Sequence, residues 1–400
     1  MTEPATIASR TEAAASRITP SLAALFFSFL GLGATAFGGL AMMVYVKDLA
    51  VRKRWMDSET YNDGAAMCQA LPGATVMMAV AYVGLKTRGV LGAWLSYVAF
   101  VLPCSCGMLF LSILYARSHT LPQIVSLLSG LQVVVVAIVA TAAFRWGKDV
   151  MRSYKGAIIA MAAALLLIYG LSPMAVIVIA GLAGMALFGE IPAANSAAAP
   201  ADGKHGMLTP ALALAALAVS GLAALYFIDR TLFLLAATMM KINLFAFGGA
   251  AGSIPMMLHE IVTVRHWVDG KTMMDAIALS QVTPGPISTS TAFLGYLIAG
   301  LPGSAVAITA YYTPSFILLM VMTPYFSRLK SSKTFRKATR GVISSFAGLL
   351  CFVTFTFFNV VHWDLKRSLL AMAAALALHR GIHVAWVVLV GAAFSIAMFQ

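Results

Sequence analysis

The sequence predicts an all-α integral membrane protein of about 12–13 transmembrane segments in two homologous, inverted repeats with broken helices, and three observations carry that reading. Of the 400 residues, 61% are hydrophobic and only 10% charged, with a mean hydropathy of +0.90, a mix that does not keep a soluble domain in water. Apolar stretches of about 20 residues, the length needed to cross a hydrocarbon core about 30 Å thick, recur along almost the whole chain. A set of glycines, prolines and tryptophans returns in the same order at a nearly constant offset.

Residues 1–20 form a polar tail with Glu3, Arg10, Glu12 and Arg17; they lack the apolar core of a cleavable signal, so the first span is expected to direct insertion. Apolar runs follow near 21–45, 64–84, 89–114, 122–144, 156–170 and 173–188, making residues 21–188 a first repeat. Residues 189–207, rich in Ala, Pro and small polar residues, read as a linker. A connecting helix at 208–228 precedes the second repeat, 229–400, with runs near 232–256, 273–298, 303–326, 341–361, 368–379 and 383–399. The pairs at 156–188 and 368–399 are short for full crossings and are expected to form tight hairpins.

The duplication rests on particular residues. Phe37-Gly38-Gly39 reappears as Phe247-Gly248-Gly249, Trp55 as Trp267, and Pro72-Gly73 as Pro284-Gly285. Ala81, Gly84, Gly89, Gly92, Pro103 and Gly130 then match Ala292, Gly295, Gly300, Gly303, Pro314 and Gly341 at a spacing of 211. Six segments per repeat with one helix between them place equivalent helices seven crossings apart, and an odd number inverts the copy. Inverted repeats are a common architecture of secondary transporters, with the site near the midplane.

The net charge of +13 does not point to nucleic acid, because the basic residues fall in short connections between apolar spans. Lys and Arg are more numerous on the face that carries the N-terminus, which predicts a cytoplasmic N-terminus. The connection 47–59, with Lys47, Arg52, Lys53 and Arg54, falls on the opposite face in this arrangement. Cys68, Cys104, Cys106 and Cys351 stand in apolar stretches without His or carboxylates at ligand spacing, so buried free thiols are expected, and neither a metal nor a cofactor.

The two helix breaks carry the chemistry. Gln69-Ala70-Leu71-Pro72-Gly73-Ala74 and Gln281-Val282-Thr283-Pro284-Gly285-Pro286 lie inside apolar segments. Proline removes a donor and glycine permits unusual dihedrals, so each break favours two half-helices with an unwound joint. Such a joint is tolerated at membrane depth where it faces protein or a water-filled cavity. A half-helix N-terminus there presents N–H groups and a positive dipole end to an anion. One such kink is more simply a kink; two at matching positions point to a transporter site. Gln69, Pro72, Gly73 and Thr75 in the first repeat and Gln281, Pro284, Gly285, Pro286, Ser288 and Thr289 in the second are the candidate substrate contacts, with Lys241 and Asn243 beside the second FGG triplet. Lys241 would attract the anion or snorkel to the interface.

The triplets Phe37-Gly38-Gly39 and Phe247-Gly248-Gly249 serve close helix packing or a second ligand wall. Trp55 and Trp267 suit a structural role in an interfacial belt. Asp48 and Glu260 occupy equivalent places and are candidates for proton coupling, with His259 and His266 nearby. No P-loop, nucleophile–base pair or metal cluster stands out, so an enzyme or an ATP-driven pump is not expected.

These residues resemble the chromate ion transporter family in its two-domain form, whose members carry an FGG motif, a charged stretch ending near a tryptophan, and a Q-x-x-PGP motif. Lys241, Phe247-Gly248-Gly249, Glu260, Trp267, Gln281, Pro284-Gly285-Pro286 and Pro314-Ser315-Phe316 match most closely; the first repeat has Ala74 where the pattern has a second proline. The resemblance implies an inner-membrane carrier that expels chromate using the proton-motive force, with sulfate as a related dianion. The partners expected are a small inorganic anion, membrane lipid and, with oligomeric state left open, a second copy of the chain.

Overall fold

The computed structural model describes residues 18–118, 121–189 and 208–398; most of the N-terminal tail and all but Gly189 of the linker expected at 189–207 lie outside them. The described chain is helical. Its helices are α1 (Leu22–Thr35), α2 (Met42–Arg52), α3 (Ser58–Ala70), α4 (Thr75–Ser118), α5 (Pro122–Val150), α6 (Tyr154–Ile168), α7 (Pro173–Leu187) and α8 (Leu208–Ile228). The second set comprises α9 (Arg230–Leu244), α10 (Ser253–Met257), α11 (Gly270–Val282), α12 (Ser290–Met322), α13 (Phe326–Ser331), α14 (Lys333–Val360), α15 (Leu365–His379) and α16 (Val384–Met398). Five helical stretches are long and apolar enough to cross a membrane.

The stretches at 21–45 and 232–256 are each divided at the FGG triplet, where the helix stops and resumes. The glycines there take left-handed backbone, with φ of +109° and +59° at Gly38 and Gly39 and +76° and +85° at Gly248 and Gly249. That conformation ends a helix and is costly for other residues. Beyond the triplet the chain folds back. The Ile18 N–H donates to the Arg54 carbonyl, Lys53 Nζ donates to Ser28 Oγ, and the Trp55 ring packs on Phe29. So α1 and α2 form a re-entrant hairpin, entering and leaving at one end of the molecule with the triplet at its tip.

The Pro-Gly breaks do the same. Helix α3 stops at Ala70 and α4 starts at Thr75. The Tyr82 ring then lies where a Cβ on Gly64 would stand, so the arm 75–87 runs back along α3. In the second repeat, Tyr115 reports the same fold: it packs edge-on against Phe293 and donates to Asp275 Oδ2, joining the two arms on either side of Pro284-Gly285. At Arg88-Gly89 and Ala299-Gly300 the chain turns sharply again, with φ of +65° and +64° at the glycines. Gly84 meets Gly92, and Gly295 meets Gly303, backbone to backbone. In a straight helix residues eight apart stand about 12 Å apart along the axis. The remaining arms, 90–118 and 301–322, are the long crossings, and they touch through Tyr97, whose hydroxyl donates to the Tyr312 carbonyl.

Hairpins of the first repeat enter from the end that holds residues 18, 54 and 88, where Asp63 meets Lys330 at 3.6 Å. Those of the second enter from the other end, where Asp275 accepts from Tyr115 and from Gln132. Helix α8 carries the chain between the two ends. This arrangement also moves Lys53 and Arg54 of the connection 47–59 to the N-terminal end, removing the charge conflict: it arose from treating the first hairpin as a full crossing.

Matching caps hold the hairpins open at their bases. Asp57 accepts from the Thr60 N–H and Asp269 from the Thr272 N–H, fixing the starts of α3 and α11. The residues before the two tryptophans, Arg54 and His266, share a left-handed φ of +54° and +52°. Trp55 is buried at 6% exposure against Phe29 of its own hairpin, which makes it a packing residue and not part of a lipid-facing belt. Cys68 and Cys104 are buried thiols, but Cys106 and Cys351 are exposed, on helices whose outer faces are apolar.

Candidate functional site

Four hairpin tips meet in the middle of the protein, two from each repeat. The Gly73 N–H donates to the Ala246 carbonyl at 2.6 Å, and the Gly285 N–H donates to the Ala36 carbonyl at 2.8 Å. Each Pro-Gly tip is thus tied to the residue just before the FGG triplet of the other repeat. These two reciprocal bonds are what a two-fold relation between the repeats produces. At each tip a helix also begins: α2, α4, α10 and α12, whose first amides have no intrahelical acceptor.

The side chains around the two Pro-Gly tips differ. Next to Gly73 stands Ser315. The Ala74 N–H donates to Ser315 Oγ at 2.9 Å, and Ser315 Oγ donates to Asn243 Oδ1 at 2.7 Å. At the equivalent place beside Gly285 stands Cys104, whose thiol turns to the carbonyls of Gly33 and Phe100. The first repeat has Gly33 where the second has Asn243. One tip is therefore lined by hydrogen-bonding side chains and its twin by a thiol and a glycine.

Around the Gly73 tip several buried donors have no partner among the described residues. Asn243 is fully buried, its Oδ1 is engaged, and its Nδ2 is unpaired. The Thr75 hydroxyl, in the first turn of α4, is buried and unpaired too. The Tyr311 hydroxyl is turned toward Ser253, Asn243 and Ser288 without closing a hydrogen bond to any of them. A buried unsatisfied polar group costs about 1–3 kcal/mol, so a cluster of them needs an explanation. Donors gathered at a helix N-terminus are suited to an anion.

Of the other candidate contacts, Ser288 Oγ pairs with the Tyr312 hydroxyl at 2.9 Å, whereas Thr289 turns back to the Pro286 carbonyl of its own turn. Gln281 Nε2 is buried and unpaired on the last turn of α11. Gln69, its counterpart, is exposed and reaches only Met43 Sδ, at 3.6 Å, so the tip network does not include it. The sequence positions of Ser315, Tyr311 and Ser253 do not single them out as contacts. Ser315 was legible only as part of Pro314-Ser315-Phe316, and no spacing announces that α12 brings it to the first repeat's tip.

Lys241 and Glu260 form a pair across the α9–α10 hairpin, Nζ to Oε1 at 2.8 Å, with the carboxylate buried at 3% side-chain exposure and the ammonium 41% exposed. Glu260 lies in a π-helical stretch, Leu258–Val264, a local widening that is frequent at functional sites. Asp48, its counterpart, is exposed on the regular helix α2. The two carboxylates thus share a place in the repeat but not an environment.

Replacing Ser315 by alanine should leave the Ala74 amide and Asn243 Oδ1 without their shared partner. At about 1.4 kcal/mol the expected result is a folding equilibrium less favourable by about tenfold, measured as a lowered thermal midpoint of the purified protein, with insertion into the membrane unchanged.

The chain matches the family model described as chromate transporter twice, at residues 23–185 and 233–396. It is 37% identical to an uncharacterized transporter of Methanocaldococcus jannaschii over 93% of both chains. It is 29% identical to a chromate transport protein of Cupriavidus metallidurans, covering 88% of this chain and 87% of that one. A chromate transport protein of Pseudomonas aeruginosa is 27% identical over 82% of this chain and 78% of its own. No solved structure matches the chain significantly.

Proposed function

The chain belongs to the chromate transporter family, and from that premise we propose that it is a secondary active carrier of a tetrahedral oxyanion, with chromate efflux across the inner membrane as its leading activity. The observation that carries this reading is the set of unpaired buried donors, Asn243 Nδ2 and the Thr75 hydroxyl, at a helix N-terminus where the two repeats meet. In the proposed seat the anion lies against the first turn of α4. It accepts from Asn243, Thr75 and Tyr311, while Ser315 holds Asn243 and the tip in register. The remaining members of the candidate set, Pro72, Gly73, Pro284, Gly285 and Pro286, shape the backbone.

Alternating exposure follows from the inverted repeats: hairpins anchored at opposite ends share one centre, so rocking one repeat against the other opens the centre to one side at a time. The concentration of Lys and Arg at the end holding residues 18, 54 and 88 supports a cytoplasmic placement of that end. Energy coupling is assigned to the Lys241–Glu260 pair. Neutralising Glu260 removes its attraction for Lys241 and frees the half-exposed ammonium.

Glu260→Gln mimics the protonated state permanently. Its expected phenotype is loss of gradient-driven accumulation with anion exchange retained, checked by comparing uptake with and without an imposed pH gradient. Unchanged gradient dependence removes Glu260 from the coupling. For the function itself, the test is uptake of radiolabelled chromate, and separately sulfate, into proteoliposomes containing only this protein. Accumulation of chromate that sulfate competes supports the carrier; no flux of either anion from folded protein overturns it.

A further inference from the structure

A second basic site lies away from the hairpin tips, at the end where α5 meets α6 and the start of α14. A cavity of about 390 Å³ opens there, lined among others by Arg145, Trp146, Asp149, Ser153 and Arg340. Neither arginine has a carboxylate partner among the described residues. Arg145 spends one N–H on the Leu378 carbonyl, and a guanidinium has five. Arg340 lies over the Phe188 ring, 4.7 Å from its centre, an attraction that leaves its N–H fork free. Asp149, the one carboxylate on the wall, leans toward Arg152 at 3.7 Å. The cavity therefore presents two available guanidiniums to water.

Its inner wall is Trp146. That ring occupies the space a Cβ on Gly248 would need and packs near Phe346, which in turn packs near Phe247. One indole thus separates the arginine-lined cavity from the tip of the second FGG hairpin, which shares the centre with the Gly73 tip through the Gly73–Ala246 bond. We propose that this cavity is a vestibular oxyanion site, in which Arg145 and Arg340 capture a tetrahedral dianion from the aqueous phase before it passes Trp146 to the central seat. The proposal rests on the reading that the chain carries oxyanions. Two cations in a low-dielectric recess concentrate a dianion there and raise its rate of entry, and guanidinium matches oxyanion geometry through paired N–H donors.

A free dianion and the phosphate of an anionic lipid share this chemistry, and the test separates them. Ser153→Cys, with Cys106 and Cys351 changed to serine, places a thiol on the cavity wall of the full-length protein, reconstituted in phosphatidylcholine vesicles. Its modification by a sulfonate-bearing and by a trimethylammonium-bearing methanethiosulfonate is timed with and without sodium sulfate. Relative to their rates with a free thiol in solution, the negatively charged reagent should react about tenfold faster than the positive one, sulfate should slow the negative reagent, and Arg340→Gln should weaken the charge preference and the protection together. Ile343→Cys, on the same wall, serves if Ser153→Cys does not fold.

Equal rates for the two reagents, or no protection by sulfate, overturn the proposal. Protection that appears only when phosphatidylglycerol is added, with none from sulfate, also overturns it and makes the cavity a lipid headgroup site. Asn243→Asp separates this inference from the reading it rests on. That variant should lose transport yet keep sulfate protection of the cavity thiol, because Asn243 lies at the centre and not on the cavity wall. In transport, Arg340→Gln should raise KM several-fold for anion presented at this end and leave kcat unchanged.

Discussion

Gly73→Ala is expected to reduce anion transport by about a hundredfold while the protein still inserts and folds. The backbone at Gly73 has φ of +118°, outside the left-handed helical well, which costs an L-residue about 1–3 kcal/mol. The added Cβ would also overlap Ser315 Oγ, so Ser315 must leave its place between Ala74 and Asn243. Overpacking of this kind costs about 1–3 kcal/mol. Together these amount to about 3 kcal/mol, or about two orders of magnitude in an equilibrium. Gly39→Ala is the informative comparison: φ is also positive there, at +59°, but nothing lies within 4 Å of the added carbon. Initial rates of chromate flux in the two variants, at matched amounts of inserted protein, check the expectation. Equal losses in both would mean that tip strain alone matters and that the Ser315 contact does not.

Asn243→Asp should have an effect of at least the same size. It exchanges an unpaired N–H donor for a carboxylate oxygen at a fully buried position. At a separation of about 5 Å and an effective dielectric constant of about 20, each unit of like charge costs about 3 kcal/mol. A dianion meets that cost twice, so binding should fall beyond detection. Asn243→Ser, which keeps a small hydroxyl donor, should retain measurable binding. Titration of both purified variants with sulfate or chromate decides it: comparable affinity in Asn243→Asp and wild type would place the anion elsewhere.

The duplication was legible because it is written in residues that fix backbone shape. Gly38, Gly73, Gly89 and their partners Gly248, Gly285 and Gly300 all hold positive φ in the structure, so changes at these positions are penalised in both copies alike. The turning back of the chain at the FGG and Pro-Gly joints was not legible from hydropathy, because an apolar stretch of 25 residues looks the same whether it crosses the bilayer or turns back halfway. The one signal was the misplaced charge of Lys53 and Arg54, which made sense only once α1 and α2 turned back. The site was half visible. Asn243, Thr75 and the Pro-Gly breaks could be picked out because polar groups and helix breakers are expensive among apolar residues. Ser315 and Tyr311 could not, since a serine or tyrosine in a long helix is unremarkable until tertiary packing brings it against the tip of another repeat.

The bonds from Gly73 to Ala246 and from Gly285 to Ala36 run between main-chain atoms, and this shapes how the two copies can evolve. A bond between backbone groups does not depend on which side chains surround it, so drift in sequence leaves the central frame intact provided the glycines keep their φ. Within that frame the two copies differ: serine and asparagine stand beside one tip, cysteine and glycine beside the other. A duplicated protein built this way can acquire a lopsided binding centre by ordinary point mutation without first having to reinvent the joint that holds its halves together.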